Sequence, residues 1–121
     1  MRTEEPSRPA KDTYLGWSEA SNRFGWSSYV GDADEVLVAP ALFDQLTDLA
    51  PAWVGVGTLD LFHYEDLAYA QRLERAGVPC HVEVVPGAFH GFDIAAPKST
   101  VARAFFDSQC ASLQRAFDAG Q

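Results

Sequence analysis

Positive charge is scarce in this chain. Nine Lys and Arg stand against seventeen Asp and Glu, a formal net charge of −8. That balance argues against unspecific binding to nucleic acid or to an anionic membrane surface. Long apolar runs are also missing: no stretch approaches the eighteen or so residues that a membrane-spanning helix needs. Residues 1–11 are polar and mixed in charge, so no secretory signal is expected. There are only two cysteines, Cys80 and Cys110, far apart in sequence. They form no close-spaced metal or redox pair and fit a reduced, cytoplasmic protein. His63, His81 and His90 share no metal-ligand spacing and no HExxH occurs, which leaves no metal and no cofactor to expect. Gly55 and Gly57 imitate half of a dinucleotide fingerprint, but they lie inside a strand and no third glycine follows.

What is present is ordinary globular material. The 121 residues are 47% hydrophobic and 21% charged, enough for one domain with a modest core. Residues 1–13 carry Pro6 and Pro9 among charges and read as a loop or loose arm. Phe24, Trp26, Tyr29 and Val30 are spaced for a short helix stopped at Gly31. Residues 32–51 read as irregular, with at most one helical turn. Trp53-Val54-Gly55-Val56-Gly57 has no polar side chain, as a parallel strand covered on both faces would. Its glycines imply close approach by a helix or another backbone. Residues 64–76 follow as an amphipathic helix ended by Gly77 and Pro79, and Cys80–Val85 as a second strand with Cys80, Val82 and Val84 on one face. Strand, helix and strand with tight connections make a right-handed βαβ unit. A last helix, capped by Ser99 or Thr100, is expected to bury a seam of Ala102, Phe106, Cys110, Leu113 and Phe117.

The chemistry gathers at the ends of the two strands. Asp60 follows the first strand by three residues, and His90 follows the second by five. Parallel sheets place their sites at this edge, and neighbouring strands lie only about 4.8 Å apart. Asp60 is thus positioned to accept the Nδ1 proton of His90 and to fix its tautomer. Two plainer readings stay open on spacing alone: an Asp that caps the next helix, and a solvated loop His.

Resemblance adds to the spacing. Trp53-Val54-Gly55-Val56-Gly57-Thr58-Leu59-Asp60-Leu61-Phe62 and Leu67 to Leu73 resemble the acid-bearing strand and following helix of the hormone-sensitive-lipase-like esterases, the α/β-hydrolase fold-3 family. Val85-Pro86-Gly87-Ala88-Phe89-His90-Gly91-Phe92 is similar to that family's histidine loop. Ser21 to Trp26 and Tyr29-Val30-Gly31 are similar to the segment before its acid strand. The resemblance runs from about Arg2 to Phe117. The stretch Leu61 to Glu65 departs at several places from the family's pattern after the acid. It implies a partial α/β-hydrolase fold: a C-terminal βαβ unit plus final helix, without the N-terminal strands and nucleophile elbow. Residues 1–121 would form one partial domain, with arm and helix over 1–31 and a βαβα core over 53–117. It implies Asp60 and His90 as the acid and base of a Ser-Asp-His triad acting on small esters.

The nucleophile itself is absent. A nucleophile elbow needs Gly-x-Ser-x-Gly on a strand-to-helix turn. The nearest imitation, Gly25-Trp26-Ser27-Ser28-Tyr29, has a tyrosine where the last glycine belongs, and no apolar strand precedes it. No His-Gly-Gly-Gly loop is present either. The expectation is therefore a segment that is inactive alone, completed by an N-terminal portion or self-associating through its uncovered strand. The alternative is a truncated relic or a non-enzymatic interaction fragment. Trp26 and Tyr29 are expected in a packed helix face rather than in a substrate pocket.

Overall fold

The structure, a computed structural model, describes residues 14–120. Helix α1 spans Glu19–Val30, with the Ser18 side chain accepting from the Ser21 amide at its start. It is longer at its N-terminal side than the aromatic spacing implied, because this serine cap extends it back through a polar segment. One turn of helix, α2 (Glu35–Val38), and a 3₁₀ turn, Pro40–Leu42, follow. Strand β1 (Ala52–Gly57) leads into helix α3 (His63–Arg75), and strand β2 (Cys80–Val85) into a short helix α4 (Phe92–Ala95). The chain closes on the long helix α5, Thr100–Ala119.

The two strands pair in parallel, in register from Ala52 opposite Cys80 to Gly57 opposite Val85. Side chains alternate across them, and the packing follows that alternation. Ala52 and Cys80 join Leu46, Leu73 and Val78 on the α3 side. Trp53 and Val85 join Ala88, Phe92, Ala102 and Phe105 on the α4–α5 side. Helix, sheet and helix are therefore stacked as three layers.

Local chemistry explains the joints. Gly77 has φ +81°, and the amides of Gly77 and Val78 return to the carbonyls of Glu74 and Leu73. This is the glycine-ended helix stop that turns the chain towards β2, and Val78 packs back on Leu73 to complete it. Gly55 leaves the space that the Phe105 ring fills, and Gly57 faces the Ala88 backbone. Both are the close approaches expected of glycines within a strand. Arg72 of α3 donates to the carbonyl oxygens of Ala41 and Phe43 and so ties the preceding loop to the layer.

The buried face of α5 differs from the expected seam. Ala102 and Phe105 are buried, whereas Phe106 (62% exposed), Cys110, Leu113 and Phe117 face outward. Two apolar stripes run along this helix, and the sheet covers the one led by Phe105, whose ring meets Trp53 and Phe92 edge-on. On β2, Val85 is buried on the α5 side, while Val84 at the end of the α3 face remains exposed.

Candidate active site

Both strands deliver their loops to the same edge. The Thr58 amide donates to the Val85 carbonyl and the Leu59 amide to that of Ala88. In return the Gly87 amide donates to Thr58 Oγ1 at 2.8 Å. Three bonds thus lace the loop after β1 to the loop after β2 before any site residue is reached.

Within that lacing, His90 Nδ1 lies 3.0 Å from Asp60 Oδ2. Asp60 is buried, and its second oxygen, Oδ1, accepts from the Phe62 amide at 2.9 Å. The carboxylate is held at both oxygens, so its direction is set by the backbone of the α3 start. This bond also explains the plainer expectation for Asp60: it organises the turn into the helix and meets the imidazole as well. The His90 ring is half-exposed and bracketed by Trp17, at a centroid separation of 6.1 Å, and by the edge of Phe62, at 5.4 Å. With Nδ1 directed at the carboxylate, Nε2 is the ring nitrogen left to exchange a proton.

Ser27 is in a different setting. It stands inside α1, and its hydroxyl donates to the Phe24 carbonyl one turn back. It occupies no strand-to-helix turn. Among the described residues no group of three or more His, Cys, Asp or Glu is placed to hold a metal ion. No helix among them is long and apolar enough to cross a membrane.

A cavity of about 390 Å³ opens beside His90, lined by Trp17, Trp26, Tyr29, Phe62 and Glu65. Trp26 is 38% exposed and Tyr29 69% exposed, and α1 contains no buried residue. The expectation of a packed aromatic face is therefore corrected. Helical spacing shows that the two rings share a face, but that face borders an opening instead of a core. Asp66, in the first turn of α3, has a carboxyl pushed up to about 6. Burial is the main cause, followed by the charges of Asp60 and Glu65, with His90 acting in the opposite sense. Sequence reasoning did not single out Asp66; its burial close to Asp60, Glu65 and His90 sets it apart.

Residues 1–94 match a family described as alpha/beta hydrolase fold. The chain belongs to that family. It is similar to the esterase LipW from Mycobacterium marinum, with a TM-score of 0.80 and 32% identity over 84% of this chain and 33% of that one. It shares its fold with a hormone-sensitive lipase from a metagenome library, with a TM-score of 0.78 at 20% identity over 88% of this chain and 37% of that one. In sequence it is 37% identical over 54 residues to an ethyl acetate hydrolase of Pseudomonas putida, spanning 45% of this chain and 17% of the relative. It is 44% identical over 46 residues to lipase 2 of Moraxella sp. strain TA144, spanning 38% of this chain and 11% of the relative. The chain thus matches about a third of these solved chains and less than a fifth of the curated relatives. It is a partial α/β-hydrolase fold of the esterase and lipase-like kind, as the strand and histidine-loop motifs implied.

Proposed function

We propose that this chain, as one partial hydrolase domain, carries the acid and base of a serine carboxylic-ester hydrolase. The observation that supports the reading best is the 3.0 Å approach of His90 Nδ1 to a buried, doubly held Asp60. In the proposed cycle a serine from outside these 121 residues attacks the ester carbonyl. His90 Nε2 takes the serine proton and passes it to the departing alkoxide. Asp60 keeps Nδ1 protonated and stabilises the imidazolium. Water then attacks the acyl-serine while His90 takes its proton, and His90 returns that proton to the serine oxygen as the carboxylic acid leaves. No organic cofactor or metal is required for this sequence.

The purified chain is expected to give no turnover of 4-nitrophenyl acetate above buffer, with Ser27→Ala making no difference. Supplied in trans with a segment of an esterase relative that bears Gly-x-Ser-x-Gly, it is expected to restore hydrolysis. His90→Ala then abolishes activity, and Asp60→Asn lowers kcat by roughly 10⁴-fold, the size of effect that losing the orienting acid has on such a triad. Turnover by the chain alone that disappears in Ser27→Ala would overturn the assignment. The other reading, an interaction fragment without catalysis, draws on the exposed Phe106, Leu113 and Phe117 of α5. It predicts association with no hydrolysis in either assay.

A further inference from the structure

The cavity beside His90 has a composition that an apolar acyl pocket does not need. Four aromatic rings, those of Trp17, Trp26, Tyr29 and Phe62, share its wall with the carboxylate of Glu65. Trp26 and Tyr29 meet edge to face, with centroids 6.0 Å apart. The Trp17 indole N–H donates to Asn22 Oδ1 at 3.3 Å. Its one hydrogen-bond donor is therefore engaged, and what it retains for a ligand is ring surface. Glu65 also lines an adjoining cleft of about 800 Å³, together with Trp26 and Phe62, and that cleft adds Glu19 and Glu35 against a single Arg23. Among the described residues no cation forms an ion pair with Glu65.

Each feature bears on what fits. An anion would meet Glu65 in the cavity and Glu19 and Glu35 in the adjoining cleft. A neutral apolar group would fill the cavity but would strip water from Glu65 with nothing in return. An organic cation meets the ring quadrupoles and gives Glu65 a counter-charge, and tryptophan is the strongest aromatic partner for such a group. The chain's own charge of −8 adds attraction of the same sign at longer range.

We propose that the cavity beside His90 binds a quaternary or substituted ammonium group. Resting on the hydrolase reading, the substrate is then an ester that carries such a cation. The aromatic wall of α1 and Glu65 at the start of α3 hold the cation beside His90, and the ester lies towards the imidazole.

The test is a titration of the chain with choline and with 3,3-dimethylbutan-1-ol, which has the same shape without the charge, followed on the tryptophan indole N–H signals. Trp53 packs on Phe105, away from the cavity, and serves as an internal control. Choline is expected to move the Trp17 and Trp26 signals but not that of Trp53. The neutral isostere is expected to bind at least about fivefold more weakly, the scale of a modest cation–π contribution. Glu65→Gln, at an exposed position, is expected to weaken choline and to leave the alcohol unchanged. Equal binding of the two probes, or no shift confined to Trp17 and Trp26, would overturn the proposal. Binding is read without turnover, so a failed ester assay leaves it standing and a failed titration leaves the Asp60–His90 pair untouched.

Discussion

Asp66 shows how three influences compete at a single side chain. It lies in the first turn of α3, where the helix dipole favours a negative charge by about 0.3–1 kcal/mol. Its carboxyl is nevertheless pushed up to about 6, so burial and the neighbouring Asp60 and Glu65 prevail over dipole and His90. The sign of the consequence follows from proton linkage. Between about pH 4, the unfolded value, and pH 6 the folded chain holds this proton more tightly than the unfolded chain does. The favourable contribution is complete at low pH and is lost as pH rises through 6. Asp66→Asn keeps the neutral form at every pH. It is expected to raise Tm over the parent at pH 7.5 and to leave it nearly unchanged at pH 4. Thermal melts by circular dichroism at both pH values check this, and an equal gain at both would refute the electrostatic account.

At the scale of an element, α5 separates two neighbouring phenylalanines. Phe105 is 8% exposed, fills the space above Gly55 and touches both Trp53 and Phe92. Replacing it by alanine leaves a cavity between helix and sheet and is expected to cost about 3–5 kcal/mol, the usual range for a buried Phe. Phe106→Ala removes an exposed ring and is expected to change stability by no more than about 0.5 kcal/mol. Urea unfolding of the two variants side by side measures the contrast. Similar losses would place α5 in a different rotation about its axis.

At the scale of the whole molecule, the described residues leave surface that a soluble domain normally covers. The sheet has two strands in the order β1–β2, so the outer edge of β1 has no strand partner among them. Phe106, Leu113 and Phe117 add an apolar stripe on α5. Unpaired edges and large apolar patches promote association. Sedimentation of the isolated chain is therefore expected to show mass that grows with concentration. A monomer that persists at high concentration, with a sharp cooperative melt, would mean that these surfaces are covered.

The residues by themselves determined the βαβ unit and the neighbourhood of Asp60 and His90. An apolar strand, a period of three to four residues and a Gly77 stop are local signals, and the parallel geometry they imply carries both loops to one edge. The Asp60–His90 distance and the Thr58–Gly87 lacing needed the tertiary structure, because each joins groups some thirty residues apart, whereas the Asp60 Oδ1 bond to the Phe62 amide is local to one turn. The buried side of α5 also needed it: Phe105 and Phe106 are both apolar, and only the position of the sheet selects between them. So did the role of Trp26 and Tyr29. Periodicity says which side chains share a face of a helix, but whether that face meets a core or an opening is decided by what packs opposite it.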